Sequence, residues 1–261
     1  MKKGYIAFAA LCAAALASCT CPSAGEQRLR PSEYVSTLVG TQSYFSLSTG
    51  NTYPAVALPW GMNFWTPQTG KMGDGWAYTY GAHQVRGFKQ THQPSPWIND
   101  YGQFSLMPVR GEDKFDEESR ASWFSHQSEV AKPYYYKTYL ADHDIRVEIT
   151  PTERAAMMRF TFPDSKESGV VIDAFDRGSQ VGMVDDRTIV GYTTRNSGGV
   201  PENFRNWFVV RFDTPFSAIE LTDAPGGYKP GSNLLYPEGQ KSVTGEHAVA
   251  KVHFATRRGQ Q

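Results

Sequence analysis

Beyond residue 21 the chain has no cysteine; Cys12, Cys19 and Cys21 are the only three in its 261 residues. The rest of the protein can therefore hold neither a disulfide framework nor a thiolate metal site, and a cysteine nucleophile is excluded. An excess of charge of either sign is also lacking. Lys and Arg number 26, Asp and Glu number 26, and the formal net charge is zero. No bulk field draws the chain to nucleic acid or to an anionic membrane surface, and the expected partner is neutral and polar. Helical periodicity is absent after residue 20, as are internal repeats and low-complexity tracts. Histidines at zinc spacing and a nucleophile elbow do not occur. The stretch GKMGDGWAY has glycines but not the strand-before, helix-after setting of a phosphate loop, and Lys71 stands at the wrong place in it.

What is present begins with an address. MKKGYIAFAALCAAALASC sets Lys2 and Lys3 before an apolar run over residues 5–17, too short to cross a bilayer comfortably. It ends in Leu16-Ala17-Ser18-Cys19, the pattern of a bacterial lipobox. This predicts a lipoprotein signal peptide over 1–19, lipidation at Cys19, a tether over 20–31 and a folded domain over 32–261. The expected location is the bacterial periplasm or outer-membrane surface, on a lipid anchor; ordinary signal cleavage nearby is the alternative.

The domain reads as β-sheet. In HDIRVEIT, Ile145, Val147 and Ile149 alternate with Asp144, Arg146 and Glu148, and AMMRFTF repeats the pattern. Further strands are expected at 103–109, 134–140, 169–175, 187–193, 206–213, 216–221 and 248–254, separated by turn clusters such as Pro163-Asp164-Ser165 and Ser197-Gly198-Gly199. A single helical turn is expected near 114–119. Polar-faced strands joined by short turns indicate an all-β fold, an antiparallel β-sandwich. After the strand at 248–254 no return strand follows, so an unpaired sheet edge is expected there. Hydrophobic residues make up 40% of the chain, enough for one large core.

Residues 40–102 differ: rich in Gly, Pro and aromatics, they read as long ordered loops carrying a site. Five of the six tryptophans (Trp60, Trp65, Trp76, Trp97 and Trp123) fall between 60 and 123. GFKQTHQPSPWINDYGQ (87–103) sets His92, Asn99 and Asp100 around Trp97, with Pro94 and Pro96 stiffening the backbone. A sugar ring needs both kinds of group: amides, acids and imidazoles for its hydroxyls, and an indole for its apolar C–H face. A backbone fixed in advance lowers the entropic cost of holding such a ligand. A satisfied polar network that merely shapes a loop is the competing reading. Asp74 and Asp100 form a conceivable glycosidase carboxylate pair, but nothing in the sequence singles them out.

Three ordered motifs add to this: Gly50-Asn51-Thr52-Tyr53-Pro54, Pro59-Trp60-Gly61-Met62, and Gly87-Phe88 followed by Thr91-His92. With YVSTLVGTQ and DGWAYTY between and before them, they resemble the N-terminal domain of glycoside hydrolase family 92, bacterial exo-acting α-mannosidases, over roughly residues 32–256. The resemblance implies a two-domain enzyme in which a following (α/α)6 barrel supplies the catalytic acid and base and most contacts to calcium. It therefore implies no catalytic residue, metal ligand or cofactor in this chain, calcium in the intact enzyme, and a truncated chain that is inactive alone. The N-terminal loops would form one wall of a pocket for a mannose-containing glycan, such as an N-glycan or mannan. Either Trp76 or Trp97 would stack on sugar, His92, Asn99 and Asp100 would orient hydroxyls, and Gly50, Asn51 and Thr52 would shape the loop. Trp60 and Trp65 are expected in the core or in interdomain packing. A free-standing glycan-binding surface lipoprotein and a structural docking domain are the other readings.

Overall fold

The computed structural model describes residues 29–42, 52–72, 77–92, 104–112, 114–225 and 239–261. The chain divides into two compact units, Met1–Tyr34 and Val35–Gln261. The described part of the first is one 3-10 turn, Pro31–Tyr34, in which the Glu33 amide donates to Arg30 O at 2.8 Å. The regular structure of the second is nearly all β-strand, and every ladder among its described residues is antiparallel.

Its largest sheet has six strands: β1 (Phe64–Gln68), β3 (Gly87–Thr91), β4 (Ser105–Arg110), β10 (Ser165–Asp173), β16 (Val249–Thr256) and β14 (Ala218–Thr222), side by side in that order. A four-stranded sheet follows the order β6 (Val130–Lys132), β7 (Tyr135–Leu140), β8 (Ile145–Pro151), β9 (Ala156–Thr161). A second four-stranded sheet runs β13 (Asn206–Arg211), β12 (Thr188–Thr193), β11 (Ser179–Asp185), β15 (Ser242–Gly245). The short β2 (Gln84–Val85) and β5 (Ser122–Trp123) pair with each other.

Both four-stranded sheets pack on one face of the six-stranded sheet. Phe88 of β3 meets Tyr136 of β7, ring centroids 6.2 Å apart, and Phe104, just before β4, stacks on Phe208 of β13 at 4.1 Å. The alternation of β8 drives this packing: Ile145, Val147 and Ile149 are buried, while Arg146 faces water. Each such side chain contributes roughly 1.5–3 kcal/mol on burial. The opposite face of the large sheet is also buried, and it mixes Met107, Val109, Val171 and Val249 with Ser105, Asp173 and Lys251. There Lys251 Nζ donates to Gly111 O and Glu112 O, both at 2.7 Å, and the 116–120 turn lays Arg120 over Asp173. The single helical turn expected near 114–119 is this one; Arg120 N–H donates to Asp116 O, and the Asp116 carboxylate accepts from the amides of Glu118 and Ser119.

Two expectations are corrected. Residues 40–102 are not all loop, because β1, β2 and β3 lie within them. Strand β3 is buried at all five positions, so it sits between two covered faces and shows no polar alternation. Strand β16 is not a sheet edge: it pairs with β10 on one side and β14 on the other. The partner that closes this side, β14, precedes it in the chain.

Candidate functional site

The β1–β3 ladder organises the residues singled out above. Its register pairs Gln68 with Gly87 at one end and Phe64 with Thr91 at the other. Four steps at about 3.4 Å separate the ends by about 14 Å. At the Thr91 end, Gln90 N–H donates to Phe104 O at 3.0 Å, so the 92–103 connection closes a hairpin between β3 and β4. His92, half-buried, is its first residue. Trp97, Asn99 and Asp100 follow on this connection and lie outside the described residues.

The flanks of Trp76 leave from the Gln68 end. Met72 N–H donates to Glu117 Oε1 at 2.7 Å and Thr69 N–H to Ala77 O at 2.9 Å. Trp76 itself lies outside the described residues. The two candidate indoles thus ride on connections that leave opposite ends of one ladder. Gly50, Asn51 and Cys19 also lie outside the described residues. Thr52 is exposed, and its hydroxyl stands 2.9 Å from where a Cβ on Gly40 would be, so Gly40, with φ 83°, admits no side chain there.

The return flank Ala77–Tyr80 is braced by a carboxylate. The Glu129 side chain is fully buried, accepts from Tyr78 Oη at 3.0 Å and Tyr136 Oη at 2.7 Å, and lies 2.6 Å from His126 Nδ1. Burial first, then this carboxylate, push both phenols well above the ordinary tyrosine range. His126 Nε2 reaches Tyr80 O at 2.7 Å, and the two rings stack at 3.9 Å. Nearby, Trp123 stacks on His83 and is half exposed. The network fixes a loop base; it offers no free acid or base to a substrate.

At the Thr91 end the geometry differs. A cleft of about 580 Å³ lies between β9 and β13, floored by Trp65, Phe104, Leu106, Val170 and Phe254. Three buried polar atoms at this end of the ladder have no hydrogen-bond partner among the described residues: Trp65 Nε1, Asn63 Oδ1 and Thr91 Oγ1. Asn63 Nδ2 donates to Arg154 O at 2.7 Å, tying the start of β1 to the β8–β9 turn.

Trp65 is in the core, as expected, but Trp60 is not: it is 98% exposed. Gly61 N–H donates to Leu58 O at 2.9 Å, closing a turn with Pro59 second and Trp60 third. Trp60 sits at φ 63°, the left-handed region that turn position normally gives to glycine. The left-handed backbone at this bulky aromatic is not offset by burial of its indole. The Pro-Trp-Gly-Met motif was visible in the sequence; the exposure of its indole was not.

Among the described residues no group of three or more His, Cys, Asp or Glu is placed to hold a metal ion.

Residues 34–261 match the glycosyl hydrolase family 92 N-terminal domain. The chain belongs to this family. An inverting mannosidase of family GH92 from Bacteroides thetaiotaomicron is 42% identical, with a TM-score of 0.79 over 89% of this chain and 31% of its own. A GH92 alpha-mannosidase of the same organism is 28% identical, with a TM-score of 0.74 over 88% of this chain and 32% of its own. The latter has also been solved in complex with mannoimidazole. No curated protein matches the chain. This family 92 chain thus spans about a third of the length of the solved mannosidases it resembles.

Proposed function

We propose that this family 92 domain supplies sugar-contacting loops to an α-mannosidase whose bond-breaking groups lie outside it. The observation that carries this is the match over residues 34–261, together with 42% identity to an inverting mannosidase. Inverting hydrolysis needs an acid and a base about 6.5–9.5 Å apart with a water between them. In this reading both come from the remainder of the longer enzyme, together with any calcium. The domain's share is contact and orientation. An indole on the 92–103 hairpin connection or on the 69–86 connection packs against the sugar's C–H face, and His92, Asn99 and Asp100 serve its hydroxyls. The substrate class is a terminal α-mannoside of an N-glycan or mannan. The Leu16-Ala17-Ser18-Cys19 pattern supports an exported lipoprotein anchored at Cys19, in the bacterial periplasm or on the outer-membrane surface.

The test is to assay the 261-residue chain and the longer enzyme side by side on an α-mannobioside, with and without calcium. Turnover by the longer protein alone is expected. Calcium-dependent mannose release by the 261-residue chain would overturn the division of labour. Millimolar or tighter mannoside binding to the isolated chain, seen by calorimetry, would favour a free-standing glycan-binding lipoprotein instead.

A further inference from the structure

The cleft between β9 and β13 is bounded by two strand edges. Both strands are the outermost members of their four-stranded sheets. Both line the cleft, and their inward side chains (Met158, Phe160, Phe208 and Val210) are apolar. Two strand edges thus face one gap above an apolar floor.

The direction of their backbone groups follows from hydrogen bonds just beyond the strand ends. Phe162, directly after β9, donates to Gln260 O and accepts from Gly259 N–H, both at 2.9 Å. Backbone groups alternate sides along an antiparallel strand, so Phe160 and Met158 aim theirs the same way, into the gap. On the other wall Phe212 N–H donates to Arg187 O at 2.8 Å, toward β12. By the same alternation, Arg211 and Val209 aim theirs away from β12, into the gap. Rows of unpaired N–H and C=O groups on two edges are a template for a strand. Natural edges of this kind are blunted by bulges, prolines or lysines. Neither the β8–β9 nor the β12–β13 ladder has a bulge, neither edge strand contains Pro or Lys, and the one charge on each is an arginine, Arg159 held by Glu148 of β8 and Arg211 at the end of β13.

The entry point is set as well. Gln260 and Gln261 line the cleft, and the 259–260 backbone already runs antiparallel to Phe162. Polypeptide continuing from there would run back along β9 toward Ala156, over Phe254, Val170 and Leu106, to the orphaned Trp65 indole N–H. The solved mannosidases are longer, this chain covering 31% of the first.

We propose that the cleft receives a β-strand formed by the polypeptide that follows Gln261 in the longer proteins of this family. The strand pairs with β9 and β13 at once and joins the two four-stranded sheets into one layer. Its inward side chains are apolar and alternate with polar ones. This assembly role is independent of whether the 92–103 loop touches sugar.

The test compares three proteins: the 261-residue chain, the chain extended after Gln261 by (Thr-Val)4, and the chain extended by (Gly-Ser)4. Amide exchange is followed by NMR at Met158, Phe160, Val209 and Arg211. The expected result is about tenfold or greater slowing at both edges with (Thr-Val)4 and none with (Gly-Ser)4. If the extended chain fails to fold, the (Thr-Val)4 peptide is added in trans to the 261-residue chain, with the same protection expected. Equal exchange in all three proteins, or protection of one edge only, overturns the proposal. Protection of the unextended chain that grows with its own concentration assigns the cleft to a second copy and overturns it. Protection by millimolar methyl α-mannoside assigns the cleft to sugar and likewise overturns it.

Discussion

Arg120 Nη1 lies 2.7 Å from Asp173 Oδ2, with both side chains only 1% exposed. His247 Nε2 closes on the other carboxylate oxygen, also at 2.7 Å. Burial alone would raise the Asp173 carboxyl; His247 and Arg120 more than offset it and hold the group well below the carboxylate range. Removing one member leaves an uncompensated charge inside. Asp173→Asn is expected to lose about 3–5 kcal/mol, read as a lower urea midpoint. An Arg120→Met, Asp173→Leu double variant should cost less than either single change.

The same cluster sets a pH dependence. Burial disfavours the His247 imidazolium, but Asp173 outweighs it, so the folded value is raised. Its stabilisation is complete below the unfolded value of about 6.5 and is lost as pH rises through the higher folded value. The Asp173 contribution is present above about 3.9 and fades only in stronger acid. His143 works in the opposite sense, because burial lowers its folded value. The difference between wild type and His247→Gln isolates the first effect. Urea midpoints from pH 5 to 9 should fall above about 6.5 in wild type and not in the variant.

Trp60 gives a trade between stability and contact. Trp60→Gly removes a strained left-handed residue worth about 1–2 kcal/mol, against about 0.5–1 kcal/mol of added unfolded-state entropy. The chain should melt no lower than wild type. If the exposed indole contacts sugar or the remainder of the enzyme, the longer protein should lose mannosidase activity or domain association at the same time. An unchanged longer enzyme would reduce Trp60 to an inert surface residue.

Gly87, which opens the Gly-Phe-x-x-Thr-His motif, is explained by crowding. A Cβ there would overlap the Ser105 hydroxyl. Gly87→Ala should cost about 1–3 kcal/mol. Ser105→Ala should rescue most of it, because the nearest atoms would then be the Ser105 Cβ at 3.4 Å and Gln68 Oε1 at 3.5 Å, both at ordinary contact distance. A double-mutant cycle by chemical denaturation measures the coupling.

Trp76 and Trp97 can be separated in the longer enzyme. Loss of a stacking indole costs about 1.4 kcal/mol, roughly tenfold in kcat/KM. Only the variant of the indole that meets sugar should show it, and Trp→Phe should restore part. Equal, negligible effects of both alanine variants would remove the sugar-stacking role from both connections.

The sequence alone determined the half-buried strands. Ile145, Val147 and Ile149 announce β8 because a strand between core and water must alternate every two residues. It also determined the family, since three motifs in chain order survive any ambiguity about folding. Tertiary structure decided the rest. Strand β3 is covered on both faces, which erases the alternation that would have revealed it. The register of β1 on β3 sends the two tryptophan-bearing connections from opposite ends of one ladder, a separation that nearness in sequence conceals. Asp173 meets Arg120 across 53 residues and His247 across 74. Side-chain periodicity is local, written residue by residue along the chain. Pairing, exposure and charge neutralisation depend on which distant segments come to lie together.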